Sequence, residues 1–153
     1  MSRPRDLGPK LFTLEEAQAL LPSVQGAVAR GQALLQRFET VRQELTVLRL
    51  VSSSGGTPAN PDRESLAGKE REEAALIGEI RALERDLLQW GCVPKSISEG
   101  LVDFFAQKDS RLVFLCWKQG ESRIEAWHTL EGGFAGRRPI SSFRDSETPT
   151  ESS

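Results

Sequence analysis

The chain has no tyrosine, one methionine, one histidine and two cysteines in 153 residues. Two cysteines, Cys92 and Cys116, are too few for a disulfide-stapled scaffold, so a reducing, cytoplasmic compartment is expected. No apolar run of about eighteen residues occurs, which excludes a membrane-spanning helix. The opening Met1-Ser2-Arg3-Pro4-Arg5-Asp6 is basic, but no apolar core follows it, so no secretory leader is expected. Neither sign of charge predominates: 20 Lys and Arg stand against 22 Asp and Glu, a net of −2. That balance speaks against a basic nucleic-acid surface, and neither nucleic acid nor a membrane is an expected partner.

What is present describes a globular chain. Hydrophobic residues make up 38 % and charged residues 27 %, more apolar than a disordered chain of this length. The length fits one domain. Its expected extent is 12–140, between a mobile N-terminus (1–11) and a disordered Ser/Thr/Glu-rich tail (141–153).

Two helices are expected, at about 14–51 and 61–90. Thr13-Leu14-Glu15-Glu16 fits a capping box, in which the Thr13 hydroxyl and the Glu16 carboxylate satisfy each other's amides. Pro22 lacks an amide donor and biases Leu21 away from helix. A short helix, a break at Leu21-Pro22 and then a long helix are therefore expected. Leu20, Val24, Ala27, Gly31, Leu34, Phe38, Val41, Leu45 and Leu48 follow alternating spacings of four and three, a coiled-coil-like stripe. Thirty residues at 1.5 Å each make a rod of about 45 Å, which cannot bury that stripe against itself.

A flexible linker (52–60) leads to the second helix, with Asn60 as N-cap and Pro61 at the first helical position. Leu66, Glu73, Leu76, Ile80, Leu83, Leu87 and Trp90 form its seam, and the charged Lys69–Glu73 stretch is expected to fray. Gly91 is the natural C-cap, and Pro94 blocks continuation. The pair reads as an antiparallel helical hairpin. Apolar residues near its far end, Leu45, Leu48, Leu50 and Val51, suggest a homodimer seam.

From 93 to 140 the period changes to two. Leu101–Phe105, Arg111–Trp117 and Arg123–Leu130 read as three antiparallel strands. The Gly-rich Gly132-Gly133-Phe134-Ala135-Gly136 reads as a turn that lets Phe134 tuck inward. The fold class is therefore α+β: a long helical hairpin followed by a small antiparallel sheet.

Several blocks carry a resemblance. They are Phe12-Thr13-Leu14-Glu15-Glu16-Ala17 with Leu20-Leu21-Pro22, Gly100-Leu101-Val102-Asp103-Phe104, Leu115-Cys116-Trp117-Lys118, Gly120-Glu121, Trp127-His128 and Gly133-Phe134-Ala135-Gly136-Arg137-Arg138-Pro139-Ile140. In this order the chain resembles a bacterial and archaeal family known as domain of unknown function 2203, over residues 12–140. The family pattern often has Pro where this chain has Phe105 and Glu where it has Thr129. The second departure removes one carboxylate beside His128. The resemblance implies no established activity.

The chemistry centres on His128. It shares strand parity with Ile124 and Ala126, and Glu131 follows it closely. Depending on hairpin register, Cys116 or Trp117 lies across from it. His128, Glu131, Asp103 and Cys116 are candidate ligands for iron or zinc, although a closed zinc site takes four donors and no CxxC is present. The plainer alternative is a buried His bonded to a backbone carbonyl or to Glu131. A Cys116–His128 nucleophile pair is the weakest option, because Cys116 lies in the most apolar segment of the chain. Arg137 and Arg138 beside Trp127 suit an anion or a stacked ring, and a salt bridge to Asp103 or Glu131 is the alternative.

The function expected is that of a non-enzymatic, self-associating interaction module without a cofactor. It would offer Trp117, Trp127, His128, Glu131, Arg137 and Arg138 to a protein partner. The alternative is a metal- or small-ligand-binding protein built on His128, Glu131 and Asp103 or Cys116.

Overall fold

A computed structural model describes residues 9–53 and 61–144. The expectations for 1–8, for most of the linker including the Asn60 cap, and for 145–153 fall outside the described residues. The elements are helix α1 (Leu14–Ser53), helix α2 (Pro61–Gln89) and strands β1 (Cys92–Ser96), β2 (Leu101–Lys108), β3 (Arg111–Lys118), β4 (Ala126–Thr129) and β5 (Arg138–Pro139). Two short 3₁₀ turns, Phe134–Gly136 and Ile140–Ser142, flank β5. This is the α+β arrangement that the change of period at residue 93 implies. No helix among the described residues is long and apolar enough to cross a membrane.

The chain divides into two compact units, Ala29–Arg85 and the remainder. All described residues of the first of these are helical. Val41, Leu45 and Leu76 form its buried centre, with Leu34, Phe38 and Leu66 packed around them. Arg37 pairs with Glu72, and further along α1 Glu44 pairs with Lys69 (2.7 Å) and Arg49 with Glu70 (3.3 Å), both nearer the start of α2, so the hairpin is antiparallel. These pairs are solvent-exposed and contribute little each. The charged Lys69–Glu73 stretch is nevertheless helical instead of frayed. Leu45 is fully buried and Leu48 half-buried, so the exposed apolar residues of this end are Val47, Leu50 and Val51.

The other unit contains the start of α1, the end of α2 and the whole sheet. The capping box forms as its spacing predicts: the Glu16 amide donates to Thr13 Oγ1 and the Thr13 amide to Glu16 Oε1, both at 3.0 Å. The break at Leu21-Pro22 does not occur, and α1 runs through with Pro22 inside it. Proline in a helix interior costs about 3 kcal/mol or more. Here Pro22 is exposed while its neighbours Leu21 and Val24 are buried, and their burial offsets the lost backbone bond. Tertiary packing overrides the local preference of residue 21.

Helix α2 ends as Gly91 dictates. The Gly91 amide donates to Leu88 O at 3.0 Å, and its φ of +97° lies in the region glycine occupies without strain. Pro94 then falls on β1, at an edge of the sheet, where a missing donor is tolerated. The sheet is a five-stranded antiparallel meander in the order β1-β2-β3-β4-β5. It has two more strands than the periodicity indicates, because β1 carries a proline and β5 is two residues long. The third strand is also shorter than expected: residues 123–125 lie outside β4.

Register settles which side chains share a face. Val102 pairs with Trp117, Phe104 with Leu115, and Leu115 with Trp127. This face meets Phe12, whose ring packs edge-on against Phe104 at 5.2 Å and whose amide donates to Phe105 O at 2.8 Å. Gln18 of α1 binds the segment before β4 through both amide atoms. Its Nε2 donates to Ile124 O (3.3 Å), and its Oε1 accepts from the Ile124 amide (3.0 Å). The folded chain continues past residue 140. Trp127 Nε1 donates to Ser142 Oγ (2.9 Å), and Lys108 Nζ donates to Phe143 O (2.9 Å). Residues 141–144 therefore belong to the domain and not to the tail.

Candidate metal centre

The opposite face of the sheet carries the polar cluster. Asp103 on β2 is directly paired with Cys116 on β3, and Phe114, two residues back on β3, is paired with His128 on β4. Same-face residues repeat every second position along a strand, so three neighbouring strands bring one donor each to one spot. The donor atoms of Asp103, Cys116 and His128 all lie within 4.8 Å of one another, and all three residues are buried. Among the described residues, this is where three metal-competent side chains meet.

The hydrogen bonds order the cluster. His128 Nδ1 lies 2.7 Å from Thr129 O, and a carbonyl only accepts, so Nδ1 carries a proton. That leaves Nε2 pointing at Asp103 Oδ2 at 3.1 Å. Asp103 also accepts from the Cys116 thiol. Burial raises the Asp103 carboxyl above the ordinary carboxylate value, and His128, Cys116 and Lys95 pull against that. Burial, and then the Asp103 charge, push the Cys116 thiol up to about 12. Cys92, buried elsewhere, is pushed up to about 12 by burial alone.

Both thiols are therefore inert in the folded chain without metal. Ellman's reagent at pH 8 should find neither in the native protein and both after denaturation; a fast-reacting native thiol would contradict this. Unfolded thiols titrate near 8.5. A group whose folded pKa is raised keeps its contribution below its unfolded value and loses it as the pH climbs. Denaturant midpoints should accordingly hold up to about pH 8.5 and fall from there toward 12.

A small cavity of about 120 Å³ opens beside the cluster, lined by Lys95, Leu101, Asp103, Cys116, His128, Gly133 and Phe134. Lys95 sits at a register shift between Pro94 and Ser96, which turns its side chain over the site. Its Nζ lies 3.8 Å from Asp103 Oδ2 and 4.7 Å from the centre of the Phe114 ring. Phe134 is 45 % exposed, so the Gly-rich turn does not tuck it into the core but sets it at the cavity wall.

The remaining expected site residues separate from this centre. Glu131 is exposed and stands apart from the three donors. It follows the last residue of β4 by two positions, and the chain has already turned away. Trp117 and Trp127 are 1 % and 0 % exposed on the other face of the sheet, so they are core and not a surface for a partner. Alternation along β4 separates Trp127 from His128. Arg137 is held by Glu121 at 2.8 Å and by Cys116 O at 3.3 Å, not by Asp103 or Glu131. Arg138 stacks over Trp127 at 4.9 Å. Nothing in the order Pro94-Lys95-Ser96 signals a bulge, so the place of Lys95 at this site is not legible in the sequence.

Comparison with known proteins places the chain without giving it an activity. No curated protein and no solved structure matches it. A family profile described as "Uncharacterized conserved protein (DUF2203)" matches residues 10–140. The chain belongs to that family.

Proposed function

We propose that the chain binds a single divalent transition-metal ion, zinc or ferrous iron, through Asp103 Oδ2, Cys116 Sγ and His128 Nε2. The observation that carries this reading is the approach of three different donor types to within 4.8 Å on three adjacent strands. Two donors each about 2.0–2.1 Å from a tetrahedral ion sit about 3.4 Å apart. The Asp103–His128 pair, at 3.1 Å, needs little movement to meet that spacing. The bond from Nδ1 to Thr129 O keeps a proton on that nitrogen and makes Nε2, which faces Asp103, the ligating atom, the usual outer support of a histidine ligand. A thiolate, an imidazole and a carboxylate together suit zinc or iron and do not suit magnesium or calcium.

The reading is one of binding and not of catalysis. Cys116 hydrogen-bonds to a carboxylate and not to the imidazole, and its thiol lies far above the value of an activated nucleophile. Purified chain incubated with zinc and passed over a desalting column should carry about one equivalent by elemental analysis. The Cys116→Ser and Asp103→Asn variants should carry almost none, while Glu131→Gln should match the parent. A parent chain that emerges without metal, or a Cys116→Ser variant that retains a full equivalent, rejects the proposal.

A further inference from the structure

We infer that the cavity beside the three donors is a binding site for a small monoanion, such as a carboxylate of two or three carbons or fewer, held between the ion and Lys95. This inference rests on the metal reading above and names what would occupy the ion's remaining position. Three protein donors leave a fourth position open on a tetrahedral ion, the arrangement of sites that take an exchangeable ligand. The cavity touches all three donors, so the open position faces it.

Size and charge then define the ligand. A cavity of about 120 Å³ holds a few heavy atoms, and sites for cofactor-sized ligands begin near 300 Å³. Nucleotides and sugar phosphates are excluded on volume. A divalent ion bound by one thiolate, one carboxylate and one neutral imidazole has no net charge. Lys95 adds one positive charge, because Arg137 nearby is already paired with Glu121. The loaded site therefore faces the cavity with a charge of +1, matched by a single negative charge. Before loading, Lys95 is drawn toward Asp103 at 3.8 Å, longer than a hydrogen bond. An ion on Asp103 takes up that carboxylate charge, and the ammonium is left to pair with the incoming anion. Leu101 and Phe134 supply apolar walls beside the two charges.

The test uses the full chain loaded with Co(II), whose visible ligand-field bands report each change in the donor set. Titration with sodium acetate, and separately with sodium azide, should give a saturable spectral change. A hydrogen bond to a charged group contributes enough that Lys95→Met should weaken anion binding by about tenfold or more. Co(II) affinity in that variant should stay within about threefold of the parent, since Lys95 is not a donor. Lys95→Arg should restore most of the anion affinity. Co(II) binding with no response to either anion overturns this inference alone, as does an unchanged anion affinity in Lys95→Met. A chain that fails to bind Co(II) at all overturns both this inference and the metal reading beneath it.

Discussion

Replacing His128 with alanine should destabilise the metal-free protein by about 3–5 kcal/mol, the usual result of removing one partner from a buried polar pair. His128 and Asp103 are each 2 % exposed and meet at 3.1 Å. Without the imidazole, Asp103 keeps the Cys116 thiol and a distant Lys95. Neither replaces a charge-assisted bond in the interior. Asp103 escapes part of the penalty by staying protonated, and this sets the pH dependence. Its folded pKa is already raised by burial. Loss of His128 removes a group that lowers it, so the folded value rises further. The variant should therefore show its smallest deficit near pH 3, below the ordinary Asp value of about 3.9, where Asp is mostly protonated in both states, and a growing deficit as the pH rises. Urea denaturation at pH 5 and pH 8 measures both values. A double variant, Asp103→Leu with His128→Leu, should recover most of the loss, because apolar residues of similar size need no partners. A His128→Ala chain as stable as the parent at pH 8 would mean that the buried pair is not formed.

The second large effect is stabilisation by the ion itself. A ligand that binds only the folded state adds RT ln(1 + [L]/Kd), about 2.7 kcal/mol at 100 times Kd and about 4.1 kcal/mol at 1,000 times Kd. Zinc should raise the denaturant midpoint by an amount that grows with its concentration, and a chelator should return it to the metal-free value. Magnesium should do nothing at the same concentration, since it takes oxygen donors. In Cys116→Ser and Asp103→Asn the zinc response should vanish while the basal midpoint shifts by a smaller amount. If zinc moves the parent and the Cys116→Ser chain equally, the ion is bound somewhere else.

Much of the architecture can be read from the residues, because each element announces itself through local chemistry. The Thr13/Glu16 box, the four-and-three spacing from Leu20 to Leu48, Gly91 at the helix end and the apolar Leu112–Trp117 strand all act within a few positions. What resists reading depends on distant partners. Pro22 stays inside α1 because Leu21 and Val24 are buried by residues far away in sequence. Strands β1 and β5 exist because a neighbour pairs with them, and their own residues give no period. The site divides the same way. Asp103, Cys116 and His128 are each visible as competent donors, but their meeting depends on two strand registers that no single segment encodes. Glu131 looks adjacent in sequence and is not adjacent in space. Trp127 looks exposed beside a polar pair, and the pleat turns it inward.

The pairing of Asp103 with Cys116 and of Phe114 with His128 has an implication for how such a chain matures. A slip of one position in either hairpin would send one donor to the reverse side of the pleat. A mispaired molecule, or one whose β4 has yet to dock, would own at most two of the three groups and would hold an ion weakly. On the metal-binding reading proposed above, ion uptake would act as a proofreader, rewarding only those molecules that have zipped three strands in step.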